Sequence, residues 1–253
     1  MWSPETLILI AAVFTFAGFV KGIVGLGMPT VSLALLVTTV GLKPAIALLL
    51  APALFTNIWQ GLAGPHLKSL LVRLWPFLLC ICVGTWFGTS VLAAVDGHRL
   101  MAVLGIALVI YAAISLTMFQ MPPPGRFEKF TNPVLGIISG VMTGMTGSFV
   151  VPGSLYLQTL NMPRDTLIQA LGISFTTVTL ALTSSMGSHG LIGPEILFIS
   201  ALAVIPASIG MVAGMRIRRR VPEERFRQVF FGALLLLGLY ISWRAFQDLP
   251  GVT

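Results

Sequence analysis

Long apolar runs, separated by short polar or proline-rich stretches, recur along almost the whole chain. They form ten segments, at about 6–24, 28–40, 44–63, 70–94 and 99–119, then at about 133–147, 150–160, 165–188, 195–215 and 225–246. A helix of about 20 residues crosses a hydrocarbon layer of about 30 Å. The pattern therefore predicts an all-α, polytopic membrane protein.

The second segment of each group of five is too short to cross a membrane upright. Twelve helical residues rise only about 18 Å. Glycines precede both short segments, in "KGIVGLGMP" and in "TGMTGSFVVPG". We therefore expect broken helices or hairpins at the start of each group, with two short but complete crossings as the alternative.

Composition agrees with a membrane protein and leaves no soluble domain. Hydrophobic residues make up 56% of the chain, charged residues make up 9%, and the mean hydropathy is +0.96. The net charge of +7 comes largely from arginines beside apolar runs, where they orient helices, so no nucleic-acid partner is expected. Cys80 and Cys82 have no histidine or acid beside them, so neither a metal site nor a cofactor is predicted.

The two groups of five segments are related in sequence. "GFVKGIVG" at 18–25 matches "GVMTGMTG" at 140–147, and "GLAGP" at 61–65 matches "GLIGP" at 190–194. A third match pairs the stretch that ends at Leu100 with the one that ends at Phe226. Three matches in the same order predict an internal duplication, with repeats at 1–120 and 131–253 joined by a linker at 121–130.

Charge placement predicts that the two repeats have opposite orientations. Residues 216–227 carry six arginines, whereas the equivalent loop at 96–99 carries one. By the positive-inside rule the first loop is cytoplasmic and the second is not. The inferred topology is therefore inverted, with the linker inside and both termini outside. Inverted repeats with interrupted helices are typical of secondary transporters, which bind substrate near the breaks.

The glycine-rich breaks are the candidate binding site. Glycines let a helix stop and restart within the membrane, and the exposed backbone amides at a helix start favour an anion. Lys21 adds a positive charge. The predicted substrate-binding residues are Lys21, Gly22, Gly25, Gly27, Asn57, Gly144, Thr146, Gly147 and Ser148.

Several of these residues have a structural alternative. Glycines three or four residues apart also let membrane helices pack closely. The ammonium group of Lys21 could reach the membrane interface instead of a ligand. Asn57 and the nearby Gln60 could bridge helices rather than contact a substrate.

The pattern of polar residues argues against an enzyme and against a transporter that binds a nucleotide. The carboxylates lie at segment ends, and no serine and histidine pair stands at helical spacing inside a segment, so an enzyme is not expected. No nucleotide-binding GxxxxGK[ST] motif is present, which favours a secondary transporter. A passive anion channel remains the alternative.

The stretches "GFVKGIVGLGMPTVSLALL", "GLKPAIALLLAPALFTNIWQ" and "GIISGVMTGMTGSFVVPGSLYL", together with the chain length and the duplication, resemble the TauE/SafE family of sulfite and organosulfur-anion exporters. The resemblance implies export of sulfite or a short organosulfonate by alternating access, with protons as the coupling ion. It also implies a multi-pass protein in a cell membrane of bacterial type, in contact with membrane lipid. It does not identify the oligomeric state.

Overall fold

The computed structural model describes residues 2–117, 122–218 and 223–247, and every element in these ranges is helical. The helices are α1 (Pro4–Val24), α2 (Met28–Val40), α3 (Leu42–Leu62), α4 (Leu67–Ala94), α5 (Gly97–Leu116), α6 (Glu128–Thr146), α7 (Leu155–Thr159), α8 (Arg164–Ser188), α9 (Pro194–Ile217) and α10 (Glu223–Gln247). A 3-10 turn, Gly125–Phe127, precedes α6, and an irregular turn, Val150–Ser154, precedes α7.

Seven of the described helices are long and apolar enough to cross a membrane. They are α1, α3, α4, α5, α8, α9 and the part of α10 from Gln228 to Gln247. The prediction of an all-helical polytopic membrane protein is therefore confirmed. The two short elements that the sequence predicted also appear, as the 13 residues of α2 and the five of α7.

Two pairs of helices pack closely and run in the same direction. Gly18 and Gly22 of α1 lie against Ala207 and Met211 of α9 in ascending order. Gly84 and Gly88 of α4 lie against Gly140 and Gly144 of α6, also in ascending order. In both pairs the missing side chains let the two backbones meet, as small residues do between membrane helices.

Helices α3 and α8 cross at the centre of the molecule and run in opposite directions. The side-chain Nε2 of Gln169, near the start of α8, donates to the carbonyl of Gly61 near the end of α3 at 3.0 Å. Leu49 and Leu50, in the first half of α3, face Leu182 in the second half of α8. The end of α3 thus contacts the start of α8, and the first half of α3 contacts the second half of α8, as in an antiparallel pair.

Pro52 interrupts the hydrogen-bond ladder of α3, and a serine from α9 fills the gap. Because proline has no N–H, the carbonyl of Leu48 loses its helical partner. The Ser200 hydroxyl donates to this carbonyl at 2.8 Å and accepts from the N–H of Ala51 at 3.1 Å. This contact places the early part of α9 beside the early part of α3, so α9 runs in the same direction as α3.

Helices α5 and α10 form a third close pair, with opposite directions. Gly105 lies against Ser242, while the ring of Tyr111 contacts that of Phe231 with centroids 5.2 Å apart. Short connections at 63–66 and 95–96 reverse the chain before α4 and before α5. Thus α1, α3, α5 and α9 run one way, and α4, α6, α8 and α10 run the other way.

The connections collect at two ends of the bundle. Residues 63–66, 160–163 and 125–127 share one end, which we call the basic end because it carries Lys68, Arg73, Arg126, Lys129, Arg164, Arg216 and Arg218. The opposite end holds residues 41, 95–96 and 189–193, with the basic residues Lys43, Arg99 and Arg244.

Parts of the sequence predictions lie outside the described residues. They are the last residues of the 99–119 segment, Arg219 and Arg220 of the six-arginine loop, and the C-terminus at Thr253. The division into repeats at 1–120 and 131–253 remains a prediction. The close pairs α1 with α9 and α4 with α6 each join one proposed repeat to the other, so the two would form one transport unit.

Candidate functional site

The first break separates α1 from α2 at two glycines in the left-handed conformation. Gly25 ends α1 with φ of 87°, and its N–H donates to the carbonyl of Lys21 at 2.7 Å. Gly27, with φ of 103°, precedes the first residue of α2. Side chains disfavour this conformation, so the break depends on glycine at both positions.

Lys21 lies in the last turn of α1 and is buried, with 3% of its surface exposed. Its ammonium group donates to the Thr56 hydroxyl at 3.1 Å and to the side-chain oxygen of Asn57. The Thr56 hydroxyl uses its own proton on the carbonyl of Pro52 at 2.7 Å, which leaves a lone pair for the lysine. Lys21 therefore points into the protein and does not extend to the membrane interface.

The charge of Lys21 has no ionic partner in the part of the chain that the structure describes. Both hydrogen-bond acceptors are neutral, and the ion pair in this part joins Arg73 to Glu128. An ammonium group has three protons, and these two acceptors take two of them. A buried charge in this setting is costly unless a countercharge reaches it.

Asn57 adds a second donor beside the ammonium group. An ammonium can only donate, so the oxygen of the Asn57 amide faces Lys21 and the NH2 group faces away. The nitrogen of that NH2 group is buried and has no hydrogen-bond partner among the described residues. Lys21 and Asn57 together thus offer unused N–H groups, which is the chemistry that an oxyanion requires.

The second break follows α6 and repeats the geometry of the first. Gly147 has φ of 74°, and its N–H donates to the carbonyl of Thr143 at 2.7 Å. The Thr146 hydroxyl donates to its own helix and accepts from the N–H of Ser148 at 3.2 Å. The Ser148 hydroxyl is buried without a partner in the described part of the chain. Of the two predicted hydroxyls, Ser148 therefore has the free donor.

Gly22 and Gly144 face neighbouring helices. A Cβ at Gly22 would lie 2.8 Å from the backbone nitrogen of Met215, and one at Gly144 would lie 2.6 Å from that of Thr89. Both glycines therefore have the close-packing role that the sequence left open as an alternative. The structure brings Lys21 and Asn57 together, but it places these two glycines at helix interfaces.

The two breaks lie toward opposite ends of the central helices. Gly25 approaches Ile168, one turn into α8, and Gly147 approaches Ile46, one turn into α3. Since α3 and α8 are antiparallel, these contacts are about 20 Å apart along the helix axes. The glycines that end α1 and α6 are therefore well separated in this structure, and a substrate site shared by both breaks remains a prediction.

A small cavity lies between the two halves at the crossing of α3 and α8. Its volume is about 10 Å³, the lower limit for one water molecule. Its lining includes Pro29 from the first break and Thr143, Gly147 and Phe149 from the second, but not Lys21 or Asn57. This cavity is too small for an ion the size of sulfite in this conformation.

Gln60 and Thr56, two further polar residues of α3, have different roles. Gln60 donates to the carbonyl of Ile168 at 2.8 Å and therefore bridges helices. Thr56, which was not among the residues predicted from the sequence, is a direct partner of Lys21. The adjacent polar pair in "ALFTNIW" was the available signal, because Thr56 and Asn57 stand together in an otherwise apolar run.

The family model described as Sulfite exporter TauE/SafE matches residues 10–241, which include both breaks and every residue of the candidate site. The chain belongs to the TauE/SafE family. No curated protein and no solved structure matched the chain. Membership in TauE/SafE, together with the seven apolar helices, identifies an integral membrane protein of a sulfite-exporter family.

Proposed function

We propose that this TauE/SafE protein is a secondary transporter that exports a small sulfur-containing anion, sulfite or a short organosulfonate. The observation that carries the proposal is the buried ammonium group of Lys21, which has neutral partners and lies beside the NH2 group of Asn57, for which the described residues offer no acceptor. An anion would supply the missing countercharge and would accept hydrogen bonds from both groups. The family supports sulfite as the first substrate to test.

The binding chemistry follows from the number of donors. A compact oxyanion gives up its hydration on entering the protein and needs several N–H or O–H groups in return. Lys21 and Asn57 can supply such donors in this conformation, whereas the Ser148 hydroxyl lies at the other break, about 20 Å away along the helix axes, and would contribute only after a conformational change. Gly25, Gly27 and Gly147 shape the backbone around them.

Alternating access is the second part of the proposal. The helix directions support inverted repeats, because α1 opposes α6, α3 opposes α8, α4 opposes α9 and α5 opposes α10. In such transporters the two repeats exchange conformations and open the site to each side in turn. The central cavity between the two halves is too small for the anion, as is expected of an intermediate between the two open states.

Orientation and coupling complete the proposal. The excess of lysine and arginine at the basic end favours a cytoplasmic location for that end, with both termini outside a cell membrane of bacterial type. Protons are proposed as the coupling ion on the basis of the family, and the direction of transport then follows from the gradients.

Cysteine labelling tests the inverted topology. In a background with Cys80 and Cys82 replaced by alanine, Gly97→Cys and Gly193→Cys are expected to react with an impermeant maleimide added outside. Both positions tolerate a side chain, since an added Cβ has no neighbour within 4 Å. Lys68→Cys and Arg126→Cys are expected to react only after permeabilisation. Labelling of Lys68→Cys and Gly193→Cys from the same side would refute inversion, because these connections are equivalent in the two repeats.

Efflux from sealed proteoliposomes tests the function. Sulfite loaded inside is expected to leave at least about tenfold faster than from protein-free vesicles, and external unlabelled sulfite is expected to accelerate the exit of labelled sulfite. Such exchange is a property of alternating access that a passive channel lacks. Efflux without exchange would favour the channel, and conversion of sulfite to another compound would favour an enzyme. Equal rates with and without protein would reject sulfite as the substrate.

A further inference from the structure

A large cavity at the basic end lies outside the proposed transport site. It has a volume of about 740 Å³ and opens between the start of α4, the 3-10 turn and the start of α6. Its lining consists of Val72, Arg73, Trp75, Pro76, Gly125, Arg126, Glu128, Lys129 and Asn132. This volume is large enough for the headgroup of a phospholipid.

The lining has two positive charges in excess. The guanidinium of Arg73 forms two hydrogen bonds with the carboxylate of Glu128, at 2.7 and 2.8 Å, so these two charges neutralise each other. Arg126 stacks over the ring of Phe127 at 5.0 Å and forms no ion pair with any residue that the structure describes. Lys129 has no ion pair or hydrogen bond within the described residues. The cavity therefore favours an anion.

The rim of the cavity is apolar and aromatic. Val72 and Trp75 of the lining are 67% and 61% exposed, and Phe130, which follows Lys129 in the chain, is 73% exposed. Leu79, one helical turn after Trp75, is also exposed, so these two residues form an apolar stripe along the surface of α4. Exposed aromatic side chains beside basic residues are typical of the membrane interface. A soluble anion would make no contact with these apolar side chains. A lipid, in contrast, carries its charged phosphate next to apolar acyl chains.

We propose that this cavity binds the headgroup of an anionic phospholipid, with phosphatidylglycerol as the example to test. The phosphate accepts hydrogen bonds from Arg126 and Lys129, and an acyl chain follows the stripe from Trp75 to Leu79. A zwitterionic lipid fits less well, since its own positive group would meet the excess positive charge. The proposal is independent of the transported substrate.

Native mass spectrometry of the full chain in a neutral detergent tests the proposal. Phosphatidylglycerol, phosphatidylcholine and soluble glycerol phosphate are titrated separately. We expect phosphatidylglycerol to be retained at least about tenfold more tightly than phosphatidylcholine. The double variant Arg126→Gln/Lys129→Gln should weaken that retention about 25-fold, at about fivefold for each basic side chain near an anionic lipid.

Two further variants make the result interpretable. Lys68→Gln/Arg99→Gln removes the same charge from outside the cavity and should leave retention unchanged. Arg126→Lys/Lys129→Arg keeps the charge and should retain the lipid even if the glutamine variant folds poorly. Equal retention of both lipids, an equal loss in the control variant, or equally strong binding of glycerol phosphate would each overturn the proposal.

Discussion

Replacing Lys21 by Met is expected to reduce sulfite efflux at least about hundredfold. A bound anion at this site would lose its countercharge, and removing one partner of a buried ion pair typically costs about 3 kcal/mol or more. Each 1.4 kcal/mol corresponds to about a factor of ten in affinity. The initial rate of efflux from proteoliposomes at low sulfite concentration measures this effect.

The same substitution is expected to leave the folded protein intact. Methionine has nearly the length of lysine without the charge, and the ammonium group of Lys21 has neutral partners in Thr56 and Asn57. Removing a buried charge that lacks an ionic partner removes its desolvation cost as well. Size-exclusion elution and thermal unfolding should therefore match the unmodified protein.

The matched control for Lys21 is Lys68→Met, which removes an equal charge from an exposed position at the basic end. It should retain full efflux. Undiminished efflux in Lys21→Met, with equal amounts of protein in the vesicles, would exclude Lys21 from the transport site. A loss in both variants would indicate a general effect of surface charge.

The helical segments were largely predictable from the sequence because the membrane imposes a strong local pattern. The predicted short segment at 28–40 corresponds to α2, Met28–Val40, since glycines precede and follow it. The second short segment, at 150–160, was less well predicted. Pro152 keeps its first half out of the α-helical conformation, so a regular helix begins only at Leu155.

Contacts between distant segments were not predictable in the same way. The spacing of Gly22 and Gly25 fits both a helix break and a helix interface, and one sequence cannot decide between them. The structure gives Gly25 a left-handed conformation and places Gly22 against α9. Likewise, the contact of Lys21 with Thr56 depends on how α1 and α3 are placed beside each other, which no local pattern encodes.

Substituting leucine for Gly144 or Gly22 is expected to prevent folding of the bundle. At Gly144 a Cβ would lie 2.6 Å from the nitrogen of Thr89 and 2.8 Å from the carbonyl carbon of Gly88. These atoms belong to the backbone of α4 and cannot rotate away. A leucine there must separate α4 from α6, at a cost of about 3 kcal/mol or more. Gly22 has the equivalent position between α1 and α9.

The matched control for both glycines is Gly232→Leu, because Gly232 also lies within a helix and an added Cβ there has no neighbour within 4 Å. This variant should remain as abundant and as thermally stable as the unmodified protein, whereas Gly144→Leu and Gly22→Leu should give little monodisperse protein after extraction. Alanine at Gly144 should give an intermediate result, since only one carbon must be accommodated. Stable, monodisperse Gly144→Leu protein would show that α4 and α6 can separate without loss of the fold. The glycine contact would then be a sliding surface between the halves rather than a fixed one.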